Sequence, residues 1–226
     1  MTSSLSNGLA IIFDFGNVLF DWDPHYLYLK YFDGDWQAVD HFLKEIRFAE
    51  WNLLQDQGRP FSIAVSEHCT EFPQYCDLIR IYDTHWEETI LGPINGSVEI
   101  LQSLWEAGES LYALSNWSVE KFELIRPRYR FLEYFQAVLI SGSVGIAKPD
   151  PRIFQLLLDT IGRDAAKCVI IDDSSTNILI AQELGFRTIH FQSPDQLRLE
   201  LNAMGFRCLG GIRLYSLSDS YCWGRL

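Results

Sequence analysis

The first strong pattern in the chain is an unbroken apolar run, Leu9-Ala10-Ile11-Ile12-Phe13, that ends on Asp14. Such a run reads as a strand buried on both faces, with its last residue emerging at a sheet edge. Gly16 and Asn17 follow, and both residue types tolerate positive φ, so a sharp turn is expected directly after Asp14. From residue 24 to 91 the period becomes helical. Trp36, Val39, Phe42, Leu43 and Ile46 share one face of a stretch running to Phe48, and Ile63, Ala64 and Leu78 to Leu91 continue the pattern. Gly34, Gly58-Arg59-Pro60, Pro73 and Gly92-Pro93 punctuate it, and no strand is expected there.

From Gly96 onward helices alternate with short β-like runs. Expected helices are Val98 to Ala107, Val119 to Ile125, Pro151 to Ile161 and Asn177 to Leu184; expected strands are Leu111 to Leu114, Ala137 to Ile140, Cys168 to Ile171 and Thr188 to Phe191. The strand from Ala137 is expected to end in a flexible Ser-Gly-Ser-Val-Gly segment. This alternation implies βαβ units, a parallel sheet and an α/β fold. A last helix is expected from Gln196 to Met204, whereas Gly205 to Leu226 carries no clear pattern. The division that follows is a core of residues 1–19 and 93–204, a helical insert at 20–92, and a C-terminal extension at 205–226 of unknown role.

Composition narrows the function classes. A net charge of −12 over 226 residues argues against nucleic acid or an anionic membrane as partner, since phosphate backbones are bound through clustered Lys and Arg. An anionic substrate must then be attracted locally, by a metal ion or a few placed cations. The five cysteines, Cys69, Cys76, Cys168, Cys208 and Cys222, include no C-x-x-C pair. That favours packing thiols in a reducing compartment over a disulfide framework. No signal peptide or membrane span is read, because Asp14 interrupts the N-terminal apolar run after five residues; the cytoplasm is the expected location. The five histidines show no metal-ligand spacing.

Polar residues stand where the expected strands stop: Asp14, Ser115-Asn116, Ser141 to Lys148, and Asp172-Asp173. Open α/β sheets bind ligands outside the carboxyl ends of their strands, so one site can collect all four groups. Taken alone, each has a bland role available. Ser115-Asn116 can cap the helix from Val119, Lys148 can be a surface lysine, and Asp172-Asp173-Ser174 can cap the helix that follows them.

In order, however, Asp14-Phe15-Gly16-Asn17-Val18, Ser115-Asn116, Lys148-Pro149 and Asp172-Asp173-Ser174-x-x-Asn177 resemble the four motifs of the haloacid-dehalogenase-like (HAD) hydrolase superfamily, over roughly residues 9 to 191. The resemblance implies a Rossmann-like parallel-sheet core with a helical cap inserted after the first strand. It implies that Asp14 is a nucleophile forming a covalent aspartyl intermediate, and that Asp14, the Gly16 carbonyl and Asp173 hold Mg²⁺, with Asp172 beside them. It further implies that Ser115 and the Asn116 backbone N–H bind a phosphoryl oxygen, and that Lys148 neutralises charge while orienting Asp14. The implied substrate is a small phosphorylated metabolite.

One position departs from the family pattern. Phosphatases of this superfamily usually place a second Asp two residues after the nucleophile as general acid and base, where this chain has Gly16. Such catalysis is typically worth about 10²–10⁴-fold. Asp21, Asp23 or Glu50 could supply the proton, and the motif resembles D-x-G-N-V phosphatases of small sugar phosphates. A metal-free 2-haloacid dehalogenase using Asp14 is the alternative, weakened because Asp172-Asp173 would crowd Asp14 without a cation. A non-catalytic binding protein is the third reading. Substrate choice is expected in the insert, with Arg47, Glu50 and Trp51 as candidates.

Overall fold

The computed structural model describes residues 8–208. Five strands form one parallel sheet: β1 (Ala10–Phe13), β4 (Ser110–Ser115), β5 (Ala137–Ile140), β6 (Cys168–Asp172) and β7 (Arg187–His190), in the order β5-β4-β1-β6-β7. The most apolar segment takes the centre. β1 pairs with β4 on one side, Ile11 opposite Leu111, and with β6 on the other, Ile11 opposite Val169.

Alternation along the strands then divides the core. Ile11, Phe13, Leu111, Ala113, Val169 and Ile171 face one layer, which includes Ile100, Leu101 and Leu104 of α6 (Asn95–Glu106) and Leu197 and Leu201 of α11 (Pro194–Ala203). Ala10, Ile12, Tyr112, Leu114 and Ile170 face the opposite layer. There α9 (Pro151–Ile161) contributes Ile153, Phe154, Leu157 and Leu158, and α10 (Ser175–Glu183) contributes Ala181. At about 1.5–3 kcal/mol for each large apolar side chain taken from water, the stripe on α9 alone holds that helix to the sheet. Its ends are equally determined. Asp150 accepts the Arg152 N–H at 2.9 Å, Pro151 opens the first turn, and Gly162 closes the helix at φ +64°.

Between β1 and α6 the chain forms β2 (Phe20–Trp22) and β3 (Ile90–Pro93), an antiparallel pair with Phe20 opposite Pro93. Five helices lie between these two strands: α1 (Pro24–Tyr28), α2 (Trp36–Glu45), α3 (Phe48–Asp56), α4 (Phe61–Glu71) and α5 (Cys76–Thr84). The insert is therefore helical as expected, but it is entered and left through a ribbon that the expectation of no strand missed. The helical pattern expected to run to Leu91 continues as α5 to Thr84 and as a 3-10 turn over Trp86–Thr89, and gives way to β3 at Ile90. Each ribbon strand is only three or four residues long, and Gly92-Pro93 reads locally as a break.

Two other differences stand out. The expected flexible segment after β5 is a short helix, α8 (Ser141–Val144), whose Ser143 hydroxyl donates to the Ile140 carbonyl at 2.6 Å. Cys69 and Cys76 form a disulfide that joins the end of α4 to the start of α5, their Cα atoms 4.5 Å apart. A pairing across six residues is invisible to a search for C-x-x-C, and the reading of these two as unpaired packing residues is corrected. Cys168 and Cys208 are buried thiols; Cys222 and most of the proposed C-terminal extension lie outside the described residues. Among the described residues no helix is long and apolar enough to cross a membrane.

Candidate active site

Because β1, β4 and β6 are parallel neighbours, their last residues emerge together at one edge of the sheet. The Asp14 N–H donates to the Ile171 carbonyl at 2.9 Å, extending the pairing of β1 by one residue. The chain then turns. Asn17, at φ +54°, takes the left-handed conformation, whereas Gly16 has an ordinary φ and nothing within 4 Å of where a Cβ would stand. The Phe15 N–H folds back on the Asp14 Oδ1 at 2.7 Å, and the Phe15 ring anchors the turn against Phe20, Trp117, Phe122 and Phe135, 5.6–6.2 Å away.

Lys148 is the hub beneath the turn. Its ammonium donates to Leu114 O at 3.0 Å and Asp172 Oδ2 at 2.6 Å, and lies 2.9 Å from Asp14 Oδ2. Three protons and three acceptors leave this ammonium no donor for a further ligand. Asn116 fixes the Lys148 backbone from both sides, its Nδ2 donating to Lys148 O and its Oδ1 accepting the Lys148 N–H, each at 2.8 Å. Asp172 is fully buried and accepts from Asn177 Nδ2 at 3.0 and 3.1 Å and from the Ser174 N–H at 2.9 Å. The helix-cap reading fails for Ser115-Asn116 and holds for Asp172-Asp173-Ser174 only at its serine. Ser118, not Ser115 or Asn116, caps α7 (Val119–Ile125), and Ser174, not either aspartate, caps α10.

Carboxylate oxygens of Asp14, Asp172 and Asp173 all lie within 4.8 Å of one another. Burial, with help from Asp172 and Asp173, raises the Asp14 carboxyl to about 7 even though Lys148 pulls the other way. Asp173 is also raised, first by burial and then by the Asp172 charge, against a hydrogen bond from the Asn17 side chain. Burial works against the Lys148 charge, but Asp14 and Asp172 overcome it and hold the ammonium above its ordinary value. Three carboxylates against one ammonium, with hard oxygen donors at one point, fit a divalent cation such as Mg²⁺.

Above this cluster opens a cavity of about 550 Å³, bordered by Asp14, Gly16, Ser115, Asn116 and Asp173 on the sheet side. Trp22, Phe48, Leu53, Phe61 and Trp86 from the stretch between β1 and α6, with Trp117 next to Asn116, supply most of its apolar lining. The residues expected to select substrate are not among its lining. Arg47 begins α3 in the left-handed conformation and pairs with Glu71, Glu50 is exposed, and Trp51 is buried, donating to Ala64 O at 3.2 Å and stacking on His68. Phe48, Asn52, Leu53 and Asp56 of α3 line the cavity instead. Their spacing at i, i+4, i+5 and i+8 was the available signal; residue chemistry alone pointed at the wrong face of the helix. Asp21 and Asp23 are engaged elsewhere, the first accepting from Tyr26 OH at 2.8 Å and the second capping α1.

A sequence model of haloacid dehalogenase-like hydrolases matches residues 9–185. The chain belongs to that family. Sesquiterpene phosphatase astK of Aspergillus oryzae is 24% identical over 203 residues, covering 86% of this chain and 95% of that protein. Drimenol cyclase drtB of Aspergillus calidoustus is 25% identical over 224 residues, covering 93% of this chain but 39% of the cyclase. The chain spans less than half the length of several curated relatives that it matches. A HAD family enzyme from Bacteroides thetaiotaomicron, solved in complex with magnesium and inorganic phosphate, superposes with a TM-score of 0.64 at 24% identity, over 82% of this chain and 94% of that one. This likeness establishes the fold, a Rossmann-like sheet with flanking helices.

Proposed function

We propose that this HAD-like hydrolase is a Mg²⁺-dependent phosphatase acting on the phosphate monoester of an apolar alcohol. The observation that carries the reading is the Asp14 carboxylate, held 2.9 Å from the Lys148 ammonium and facing, with Asp173, a cavity whose far walls are largely aromatic. An Asp14 oxygen attacks phosphorus and the ester oxygen departs, leaving an aspartyl phosphate that water hydrolyses. Lys148 holds Asp14 in line, and its charge favours the ionised carboxylate against the burial that opposes it. Its three donors are committed, so binding of the phosphoryl oxygens falls to Ser115 and the Asn116 N–H. Asp14, Asp173 and the Gly16 carbonyl would hold Mg²⁺, with Asp172 as the buried support behind them. When bound, the ion would neutralise the phosphoryl charge and polarise the phosphorus centre.

The lining favours an apolar body over the sugar expected from the motif alone, because a sugar needs a polar wall for its hydroxyls. The likeness to a sesquiterpene phosphatase along nearly the whole of both chains points the same way. In this reading residues 20–92 form a cap that shields the site from water. Metal-free dehalogenation leaves the three clustered carboxylates without enough positive charge, and so has less support.

Phosphate release from a C15 prenyl monophosphate and from glucose 1-phosphate, with Mg²⁺ and with EDTA, tests the proposal. Expected is metal-dependent hydrolysis with kcat/KM higher for the prenyl ester, and loss of activity in Asp14→Asn. A preference for the sugar ester, or hydrolysis unaffected by EDTA, refutes it.

A further inference from the structure

Gly16 removes the proton donor that an aspartate at its position would supply, yet an alkoxide cannot leave phosphorus readily without a proton. The structure holds one carboxyl on the far wall of the same cavity that is neither committed to Lys148 nor turned to solvent: Asp56, the last residue of α3. Its Oδ2 accepts from Asn52 Nδ2 at 3.1 Å, and the Asn52 Oδ1 in turn accepts from Tyr82 OH at 2.9 Å. The backbone N–H of Ser118 also donates to the carboxyl. The Asp56 carbonyl is itself bound by the Ser141 hydroxyl at 2.5 Å, so main chain and side chain are both fixed across the cavity from Asp14.

An acid at a helix C-terminus opposes the helix dipole, and an acid among Phe61, Tyr82 and Trp86 is expensive to ionise. Stability alone would not select it there. Resting on the phosphatase reading above, we infer that Asp56 is the proton donor and acceptor of the reaction, occupying from the insert the role that Gly16 vacates on β1. In the first half-reaction an Asp14 oxygen bonds to phosphorus, the P–O bond to the alcohol breaks, and the Asp56 proton passes to the departing oxygen. In the second, water attacks the phosphorus of the aspartyl phosphate and gives its proton to Asp56. The P–O bond to Asp14 breaks, so phosphate leaves and both side chains return to their starting states. Burial, followed by the Asp14 charge and opposed by the Ser118 hydrogen bond, raises the Asp56 carboxyl to about 7. Such a group gives and takes protons near neutral pH.

The test compares Asp56→Asn with wild type on an alkyl monophosphate and on 2,4-dinitrophenyl phosphate, whose leaving group needs no proton. Expected is a loss of kcat/KM of about 10²–10³-fold on the alkyl ester, at least ~10-fold larger than the loss on the dinitrophenyl ester. The second half-reaction also loses its base, so the dinitrophenyl ester should show a burst of one phenolate per active site before slow turnover. Gly16→Asp on the Asp56→Asn background, where the backbone leaves room for a side chain, should recover at least ~10-fold on the alkyl ester. Equal losses on both esters without a burst mean that Asp56 only braces the cavity, and overturn the inference. An inactive wild type, or one indifferent to Asp14→Asn, overturns the phosphatase reading and this assignment with it. Wild-type activity that depends on Asp14 but not on Asp56 overturns this assignment alone.

Discussion

Replacing Lys148 with Met tests the electrostatic core of the site separately from its chemistry. The side chain is about 1% exposed and sits between Asp172, also about 1% exposed, and Asp14, 11% exposed. Met fills the volume without the charge, leaving two carboxylates uncompensated where water cannot solvate them. Removing one partner from such a buried arrangement typically costs about 3–5 kcal/mol. For a chain of this size that is a fall in Tm of roughly 6–20 °C. The pH dependence gives the sharper signature. A carboxyl that keeps its proton in the folded state but ionises at 3.8 when unfolded loses stability as pH rises, by about 1.4 kcal/mol per unit, until its folded pKa is passed. In wild type Asp14 already behaves this way up to about 7, with the Lys148 charge pulling it down; without Lys148 the Asp14 carboxyl rises further and the fall in stability continues above pH 7. Lowering the pH from 8.5 to 7 should therefore return up to an extra ~2 kcal/mol to the variant relative to wild type. Urea unfolding at both pH values, in EDTA, measures it, and adding Asp172→Asn to Lys148→Met should restore most of the loss. A loss under ~1 kcal/mol, or one equal at both pH values, would refute the account of Lys148 as a buried counterion.

Two further outcomes follow from the same geometry. Mg²⁺ should raise the thermal midpoint of the wild type, by about 2.7 kcal/mol of stability at one hundred times its Kd. Asp173→Asn should remove most of that shift, and no shift across a millimolar titration of the wild type would count against the cation site. Gly58→Ala should destabilise, because Gly58 sits at φ +92° and its Cβ would stand 2.7 Å from the Gly142 carbonyl. The backbone conformation alone costs about 1–3 kcal/mol, which chemical denaturation would read directly.

The sheet was legible because each of its strands carries a local signal. β1 is a continuous apolar run, and β4, β5 and β6 are short apolar runs ending on polar residues, so the ends of α7, α9 and β5 fall where the pattern puts them. The motif residues were equally legible, since parallel strands bring their carboxyl ends together whatever the packing elsewhere. What stayed hidden depends on non-local pairing. β2 and β3 are strands only because each finds the other some seventy residues away in the chain, and Cys69 and Cys76 meet only because α4 and α5 turn back on each other. Asp56 was overlooked for a related reason. Nothing in its neighbourhood in the sequence resembles a motif, and only the phase of α3 relative to the sheet turns it toward Asp14.

That phase bears on why an insert would hold chemistry at all. An acid on the β1 turn would be in place whatever α3 does, and the open space at Gly16 shows that neither backbone strain nor crowding excludes one. An acid on α3 is in place only when the insert is docked. Beside the apolar cluster that the insert shares with the core, three polar contacts join them: Ser141 Oγ to the Asp56 carbonyl, the Phe61 N–H to Glu120 Oε1 at 3.1 Å, and Lys121 Nζ to the Asp83 carbonyl at 2.7 Å. The first of these uses Asp56 itself, so the contact that seats the insert also aims the carboxyl. If the proton donor is on α3, as we infer, departure of an alcohol would be coupled to a closed cavity, and water would be held away from the ester until the acid that assists its cleavage had arrived.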